Sequence, residues 1–175
     1  MTTRHCKIAV VIPSYKVKAH LLDVLSKIGE EVSSIYIVDD ACPEGSGQMV
    51  LAQTTDTRVR VLFHERNQGV GAATLTGYRA AHRDGAAVIV KIDGDGQMDP
   101  ALIQDFVSPI LEGEADYTKG NRFYHLEGIS EMPKIRIFGN AVLSFFSKIS
   151  SLTTLKIRPS ASPTTIIFAI CLWLP

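Results

Sequence analysis

The sequence predicts an α/β domain in three layers, a mostly parallel sheet covered by helices on both faces. Two observations carry that expectation. Short apolar runs with the character of buried strands alternate with helical patterns, and the connections between them are short. The polar chemistry also collects where such sheets keep it. The run ending Val38-Asp39-Asp40 and the run ending Ile92-Asp93-Gly94-Asp95 both stop at carboxylates, and open α/β sheets bind ligands beyond the carboxyl ends of their strands.

Taken in order, Lys7 to Ile12 is a buried-strand run closed by Pro13-Ser14-Tyr15. A helix follows with Leu21, Val24, Leu25 and Ile28 at helical spacing and Gly29 as its stop. Ser34 to Val38 reads as the second strand, and Cys42-Pro43-Glu44-Gly45-Ser46-Gly47 as loop. A short helix through Met49, Val50 and Leu51 leads to a third strand, Arg58 to Phe63. The loop from His64 to Gln68 precedes a helix from about Gly69 to His82. That helix carries small residues (Gly71, Ala72, Ala73, Gly77, Ala80, Ala81), so it can lie close to the sheet. A fourth strand spans 86–92, a helix started by Pro100 runs to Leu111, and a weaker strand is expected near Asp116 to Lys119.

From Glu131 another helix is expected, with Ile135, Phe138, Val142, Phe145, Phe146 and Ile149 as its apolar stripe. Packing on the sheet is the preferred reading of that stripe over a membrane-surface role. Beyond Ser150 the helical period disappears. The run Ile166 to Leu174 is too short to span a bilayer, which takes about 20 residues as a helix. The expected organisation is therefore a domain over 1–150 and an atypical tail over 151–175.

Composition narrows the function classes. The chain has 175 residues, 46% of them hydrophobic and 21% charged, which is globular composition and not that of a disordered segment. Eighteen basic and eighteen acidic residues balance. No global basic field exists to attract nucleic acid, so any phosphate must be held by local groups. Three cysteines without metal-ligand spacing suggest reduced thiols in a cytoplasmic setting, and no signal peptide is seen at the start.

The chemistry centres on Asp93-Gly94-Asp95-Gly96-Gln97. Side chains at i and i+2 of an extended segment point the same way, so Asp93 and Asp95 can converge on one cation. Gly94 and Gly96 allow a tight turn and leave room for a bulky ligand, and Asp99-Pro100 has the form of an N-cap followed by the first helical residue. An ordinary polar turn is the simplest competing reading. A calcium loop of the EF-hand type needs Gly and Glu where this chain has Met98 and Gln104, and is rejected. A phosphatase with an aspartate nucleophile lacks its other parts nearby. A divalent-metal site for a phosphorylated ligand is the reading that remains. Elsewhere, Gly69-Val70-Gly71-Ala72-Ala73-Thr74 approaches the dinucleotide fingerprint. It follows the third strand and not the first, and ends in Thr74, so an oxidoreductase stays only as an alternative.

Six segments in a fixed order carry a resemblance. They are Val10 to Tyr15; Val38-Asp39-Asp40 with Ser46; Asn67 to Ala72; Asp93 to Gln97; Gly120-Asn121-Arg122; and Met132-Pro133 through Arg136 to Asn140. Together they resemble the family 2 glycosyltransferases, over about residues 6–150, and within them the polyprenyl-phosphate sugar transferases. The resemblance implies the A-type nucleotide-sugar fold, with Rossmann-like topology. It implies transfer of a sugar, with inversion, from a nucleoside-diphosphate sugar to a lipid phosphate or a glycan. A cytoplasmic location is expected, with peripheral contact at the cytoplasmic face of a membrane, and no nucleic-acid partner.

Carried over residue by residue, Pro13, Tyr15 and Asp40 would form the nucleoside pocket, with Asp39 beside it or ordering the loop. Asn67, Gly69 and Gly71 would flank the nucleotide. Lys91 and Gly94 fall within the donor site, Asp93, Asp95 and Gln97 would hold Mg²⁺ or Mn²⁺, and Arg122 and Arg136 would meet phosphate on donor or acceptor. Two departures stand out. Lys16 occupies a position where relatives usually carry Asn. The segment after Ser150 lacks the family's Gly-aromatic and acceptor-loop pattern, so the C-terminal part is read as truncated or replaced, and a nucleotide-sugar-binding remnant without transfer activity is the competing class.

Overall fold

The computed structural model describes residues 6–118. Four strands form one parallel sheet: β1 (Ile8–Ser14), β2 (Val32–Asp39), β3 (Val59–Phe63) and β4 (Val88–Lys91), in the order β3-β2-β1-β4. Between them run α1 (Lys18–Ser26), α2 (Ser46–Gln53) and α3 (Val70–Arg83). A 3-10 turn at Pro100–Leu102 opens α4 (Ile103–Leu111).

Alternation within the strands sorts their side chains onto two faces. Ala9 and Val11 of β1, Tyr36 of β2 and Ile89 of β4 pack with Tyr78, Ala80 and Ala81 of α3. Ile8, Val10, Ile12, Ile35, Ile37, Val88 and Val90 pack with Leu21, Val24 and Leu25 of α1, Val50 of α2 and Ile103 and Val107 of α4. Three layers result, as expected. Of the small residues of α3, Ala73, Gly77, Ala80 and Ala81 are buried and serve that packing, whereas Gly71 is exposed. A Cβ on Gly77 would stand 2.3 Å from Val11 Cγ1, so only glycine lets the helix lie this close to β1.

The elements expected up to Leu111 are present with shifted ends. β4 is shorter than 86–92, although Ile92 N still donates to Val11 O at 3.0 Å. The first helix stops at Ser26, yet Ile28 is buried beyond it. The strand expected near Asp116 does not form over 116–118, the described part of that stretch. Thr118 is instead tied by its hydroxyl to Phe106 O, at 2.8 Å. Lys119 lies outside the described residues, as do the helix expected from Glu131 and the tail.

Register sets where the strand ends lie. Ser14 pairs with Asp39, Asp39 with Phe63, and Val11 with Lys91. The chain moves from β1 outward through β2 to β3, then crosses to the other side of β1 for β4. That reversal puts a crevice beyond the carboxyl ends of β1 and β4, the switch point at which such sheets bind ligands.

Candidate functional site

A cavity of about 380 Å³ opens at this switch point. Pro13, Ser14, Tyr15 and Val17 line it from the end of β1, and Asp40 from the end of β2. Asn67, Gly69, Val70 and Ala73 form another wall, and Asp93, Gly94 and Asp95 follow from β4. Eight residues singled out from the sequence thus share one space: Pro13, Tyr15, Asp40, Asn67, Gly69, Asp93, Gly94 and Asp95.

Asp40 organises one side. Its Oδ1 accepts from Gln68 N at 2.9 Å and its Oδ2 from Gly69 N at 2.7 Å, so it holds the loop before α3 in place. His64 Nδ1 lies 2.7 Å from the same Oδ1, and His64 Nε2 lies 3.0 Å from Thr76 Oγ1. With Nδ1–H donating to the carboxylate, Nε2 accepts from the threonine hydroxyl. Burial alone would push the Asp40 carboxyl up. The bonds from Gln68, His64 and Gly69 outweigh burial and hold it below its ordinary value. Gly69 has φ +87, where a side chain would be strained.

Asp39 faces elsewhere. Its Oδ1 accepts from Cys42 N at 2.7 Å and its Oδ2 from Gly47 N at 2.6 Å, which anchors the first turn of α2. Of its two expected roles, this geometry is the loop-ordering one. Gly47 is required there, because a Cβ would stand 2.6 Å from Phe63 Cε1 and 2.8 Å from Asp39 Oδ2. Cys42 is buried, and its Sγ accepts from Ser46 Oγ and Lys16 N, which ties the loops after β1 and β2 together. Lys16 adopts φ 56 and Ala41 φ 52, so each of these two loops has a non-glycine residue in the left-handed region. Asn visits that region more readily than Lys, so Lys16 sits in a backbone conformation that does not favour it.

The other side is the carboxylate pair. β4 ends at Lys91, and Gly94 and Asp95 lie in a turn. The turn, and not the alternation of an extended strand, therefore brings Asp95 to the wall that Asp93 also lines. Gly94 is buried, with a built Cβ 3.0 Å from Val17 Cγ2 and 3.2 Å from Ile12 Cγ2, so its missing side chain serves packing more than ligand space. Gly96 takes φ +78. Lys91 Nζ lies 2.5 Å from Asp93 Oδ1, and Gln97 N donates to Asp95 Oδ1 at 3.1 Å. No hydrogen bond or ion pair among the described residues engages Oδ2 of either carboxylate. Among the described residues no group of three His, Cys, Asp or Glu side chains stands ready for a metal. Two carboxylates with open oxygens fit Mg²⁺ or Mn²⁺ only as part of a shell that a phosphorylated ligand completes.

Lys91, Gly71 and Gln97 do not line the cavity: Lys91 is buried behind Asp93, while Gly71 and Gln97 are exposed. Arg122 and Arg136 lie outside the described residues. Sequence reasoning passed over Ser14, His64 and Thr76. Ser14 Oγ is buried on the cavity wall with no hydrogen-bond partner among the described residues. His64 follows β3 directly, the position from which a side chain reaches a ligand crevice, and that was the available signal.

With this geometry in hand, comparison with known proteins is decisive on family. The model of glycosyl transferase family 2 matches residues 9–170. The chain belongs to that family. It is 28% identical over 154 residues to the UDP-N-acetylglucosamine--dolichyl-phosphate N-acetylglucosaminyltransferase of Methanococcus voltae, over 80% of this chain and 61% of the relative. It is 30% identical over 118 residues to the polyprenol monophosphomannose synthase of Mycolicibacterium smegmatis, covering 65% of this chain and 44% of the relative. The chain thus spans about three-fifths or less of the length of these two relatives. Its fold is similar to that of S. aureus TarS 1-349 in complex with UDP-GlcNAc, with a TM-score of 0.53 at 20% identity, over 66% of this chain and 36% of that one. Membership of this family sets aside the dinucleotide reading of Gly69 to Thr74. Among the described residues no helix is long and apolar enough to cross a membrane.

Proposed function

We propose that this domain binds a nucleoside-diphosphate sugar in the switch-point cavity and belongs to an enzyme that transfers the sugar to a polyprenyl phosphate. One observation carries the reading: the Asp40-anchored loop and the Asp93–Asp95 pair face a single cavity of a size for a nucleotide. The names of the Methanococcus and Mycolicibacterium relatives support the donor and acceptor classes. A glycan is the alternative acceptor.

In this reading Pro13 and Tyr15 pack on the nucleoside. Tyr15 is exposed at the rim, where a ring can stack on a base. Asp40 has both oxygens engaged by the loop, so it shapes the nucleoside wall, and Oδ2 retains a lone pair for a ribose or base donor. Asp93 and Asp95 hold Mg²⁺ or Mn²⁺ with the donor diphosphate, and Gln97 fixes the Asp95 carboxylate through its backbone. A divalent cation, when bound, supplies Lewis-acid stabilisation of charge on the leaving diphosphate. In the transfer the bond between the anomeric carbon and the β-phosphate oxygen breaks, and its electron pair leaves with the nucleoside diphosphate. An acceptor oxygen forms the new bond from the opposite face, with inversion. A lipid phosphate brings an oxygen already anionic and needs no general base, whereas a sugar hydroxyl needs one. Arg122 and Arg136 are assigned to phosphate oxygens, which guanidinium forks suit. A lipid-phosphate acceptor places the work at the cytoplasmic face of a membrane, with peripheral contact.

A thermal-shift panel of UDP-, GDP- and dTDP-sugars, with Mn²⁺ and with excess chelator, tests the proposal. Stabilisation by at least one donor, larger with Mn²⁺, is expected. No shift with any of them would sink it. Donor binding without transfer to a polyprenyl phosphate or glycan would favour the binding remnant.

A further inference from the structure

Lys91 is the one charged residue of β4, in the run Val88-Ile89-Val90-Lys91. It is 9% exposed. By alternation it lies on the α3 face of the sheet, with Ile89 of its own strand and Val11 beside it on β1. Burying an ammonium is costly unless it is paired, and a buried ion pair seldom adds stability over an apolar residue of similar volume. A structural account of Lys91 is therefore weak. Its partner points to another: the Nζ contact at 2.5 Å is to Asp93, a carboxylate of the cavity wall.

The consequence is electrostatic. Asp93 and Asp95 bring two negative charges to the β4 side of the cavity, and the Lys91 ammonium offsets one of them, so this pair attracts a cation less than two free carboxylates would. Oδ1 of Asp93 is also already occupied. Resting on the donor-and-cation reading of this cavity, we infer that Lys91 is a built-in competitor for the divalent ion. It keeps the free domain a weak cation binder, so that the ion is taken up together with the nucleoside diphosphate. The diphosphate brings the missing negative charge and oxygen ligands, and its own charge is attracted by the Lys91 ammonium. Lys91 is a positioning residue in this account, and acts through Asp93.

The test is Mn²⁺ binding to the full chain without nucleotide, followed by the electron paramagnetic resonance of the free ion. Lys91→Met, with Lys91→Gln as a second charge-free variant should the first not fold, is expected to bind Mn²⁺ about tenfold more tightly or better. That is the effect of removing one unit charge a few Å away in a partly solvated site. Lys91→Arg, which keeps the charge, is expected to stay near the native affinity. In chelator, the better bound of UDP and GDP should bind Lys91→Met more weakly than the native chain, the opposite direction. A merely structural lysine would not move the two ligands in opposite senses. If native Mn²⁺ binding depends on Asp95 (lost in Asp95→Asn) but Lys91→Met binds no tighter, the inference falls and the site reading stands. If neither chain binds Mn²⁺, with or without UDP or GDP, the cation reading fails and takes the inference with it.

Discussion

Asp40 Oδ1 and His64 Nδ1 stand 2.7 Å apart with both side chains almost wholly buried, and the far ring nitrogen of His64 is 3.0 Å from Thr76 Oγ1. This chain of contacts ties the end of β2 to the loop after β3 and to α3. It therefore fixes a cavity wall from behind. His64→Ala should leave Asp40 and Thr76 each short of a partner and lower stability by about 1–3 kcal/mol. Because the damage is to the nucleoside wall, both His64→Ala and Asp40→Ala should weaken free nucleotide and nucleotide-sugar by similar factors. Calorimetric titration checks this. A loss confined to the sugar-bearing ligand would show that the wall serves the sugar instead.

The same carboxyl makes a prediction about acid. Asp40 is held below its ordinary value of 3.8 in the folded state, since its hydrogen bonds outweigh burial. A group with a depressed folded value adds stability that is full above its unfolded value and disappears as pH falls through the folded one. The contribution should thus be intact at about pH 5 and above and decline below about pH 4. Chemical denaturation of the native chain and Asp40→Asn should give curves whose gap at about pH 6 narrows as the pH falls below about 4. A constant gap across that range would remove Asp40 from the acid limb.

Much of this domain is legible in the chain itself. The alternation of apolar runs and helical stripes dictates a parallel sheet with two covered faces, and the structure has it. Carboxylates at strand ends pointed to the end of the sheet where the cavity lies, because Asp40 and Asp93 follow strands that run there. What escaped was set by tertiary contact. Asp39 and Asp40 are neighbours in the chain, and only the fold sends one to α2 and the other to the cavity. The reach of Asp95 depends on the turn at Gly94. His64 looked like loop until β3 placed it beside Asp40. Strand alternation buries Lys91, yet no periodicity says that its ammonium ends on Asp93.

Metal dependence follows from the pair. Among the described residues each carboxylate has its Oδ1 engaged and its Oδ2 in no hydrogen bond or ion pair, so neither alone makes a site. Asp95→Ala should abolish the tightening of donor binding by Mn²⁺ while leaving the melting temperature within a few degrees, because Asp95 is only partly buried and lies in a turn. Titration of a bound donor with and without excess chelator decides. Equal affinity under both conditions in the native chain would refute a cation at Asp93 and Asp95.

Lys16 offers a gain in stability. Its backbone is left-handed, φ 56, while its N–H donates to Cys42 Sγ at 3.2 Å. Asn keeps that N–H and tolerates the conformation better. Lys16→Asn should therefore raise stability by about 0.5–1 kcal/mol, a rise of several degrees in Tm for a domain of this size. The side chain is exposed, so little packing is lost. A lower Tm would mean that Lys16 contributes through its side chain, for which its ammonium 5.5 Å from the centre of the Tyr15 ring is the candidate.

The close approach of α3 to β1 provides the last prediction. A Cβ on Gly77 would meet Val11 Cγ1 at 2.3 Å and Val11 Cγ2 at 3.2 Å, with both residues buried on the α3 face. Gly77→Ala is favoured by helix propensity by about 1 kcal/mol. The overlap with a β-branched side chain on a central strand outweighs that gain, since overpacking of this kind costs about 1–3 kcal/mol. The single variant should be destabilised. Val11→Ala removes both clashing methyls and leaves a cavity, so it should be destabilised as well. When the two are combined, the methyl added at position 77 fills space that the valine vacated, and the double variant should be more stable than the sum of the two losses predicts. A coupling of about 1 kcal/mol or more in a double-mutant cycle, read from urea unfolding, is expected. Strict additivity would show that the cost of Gly77→Ala arises from α3 itself and not from its contact with β1.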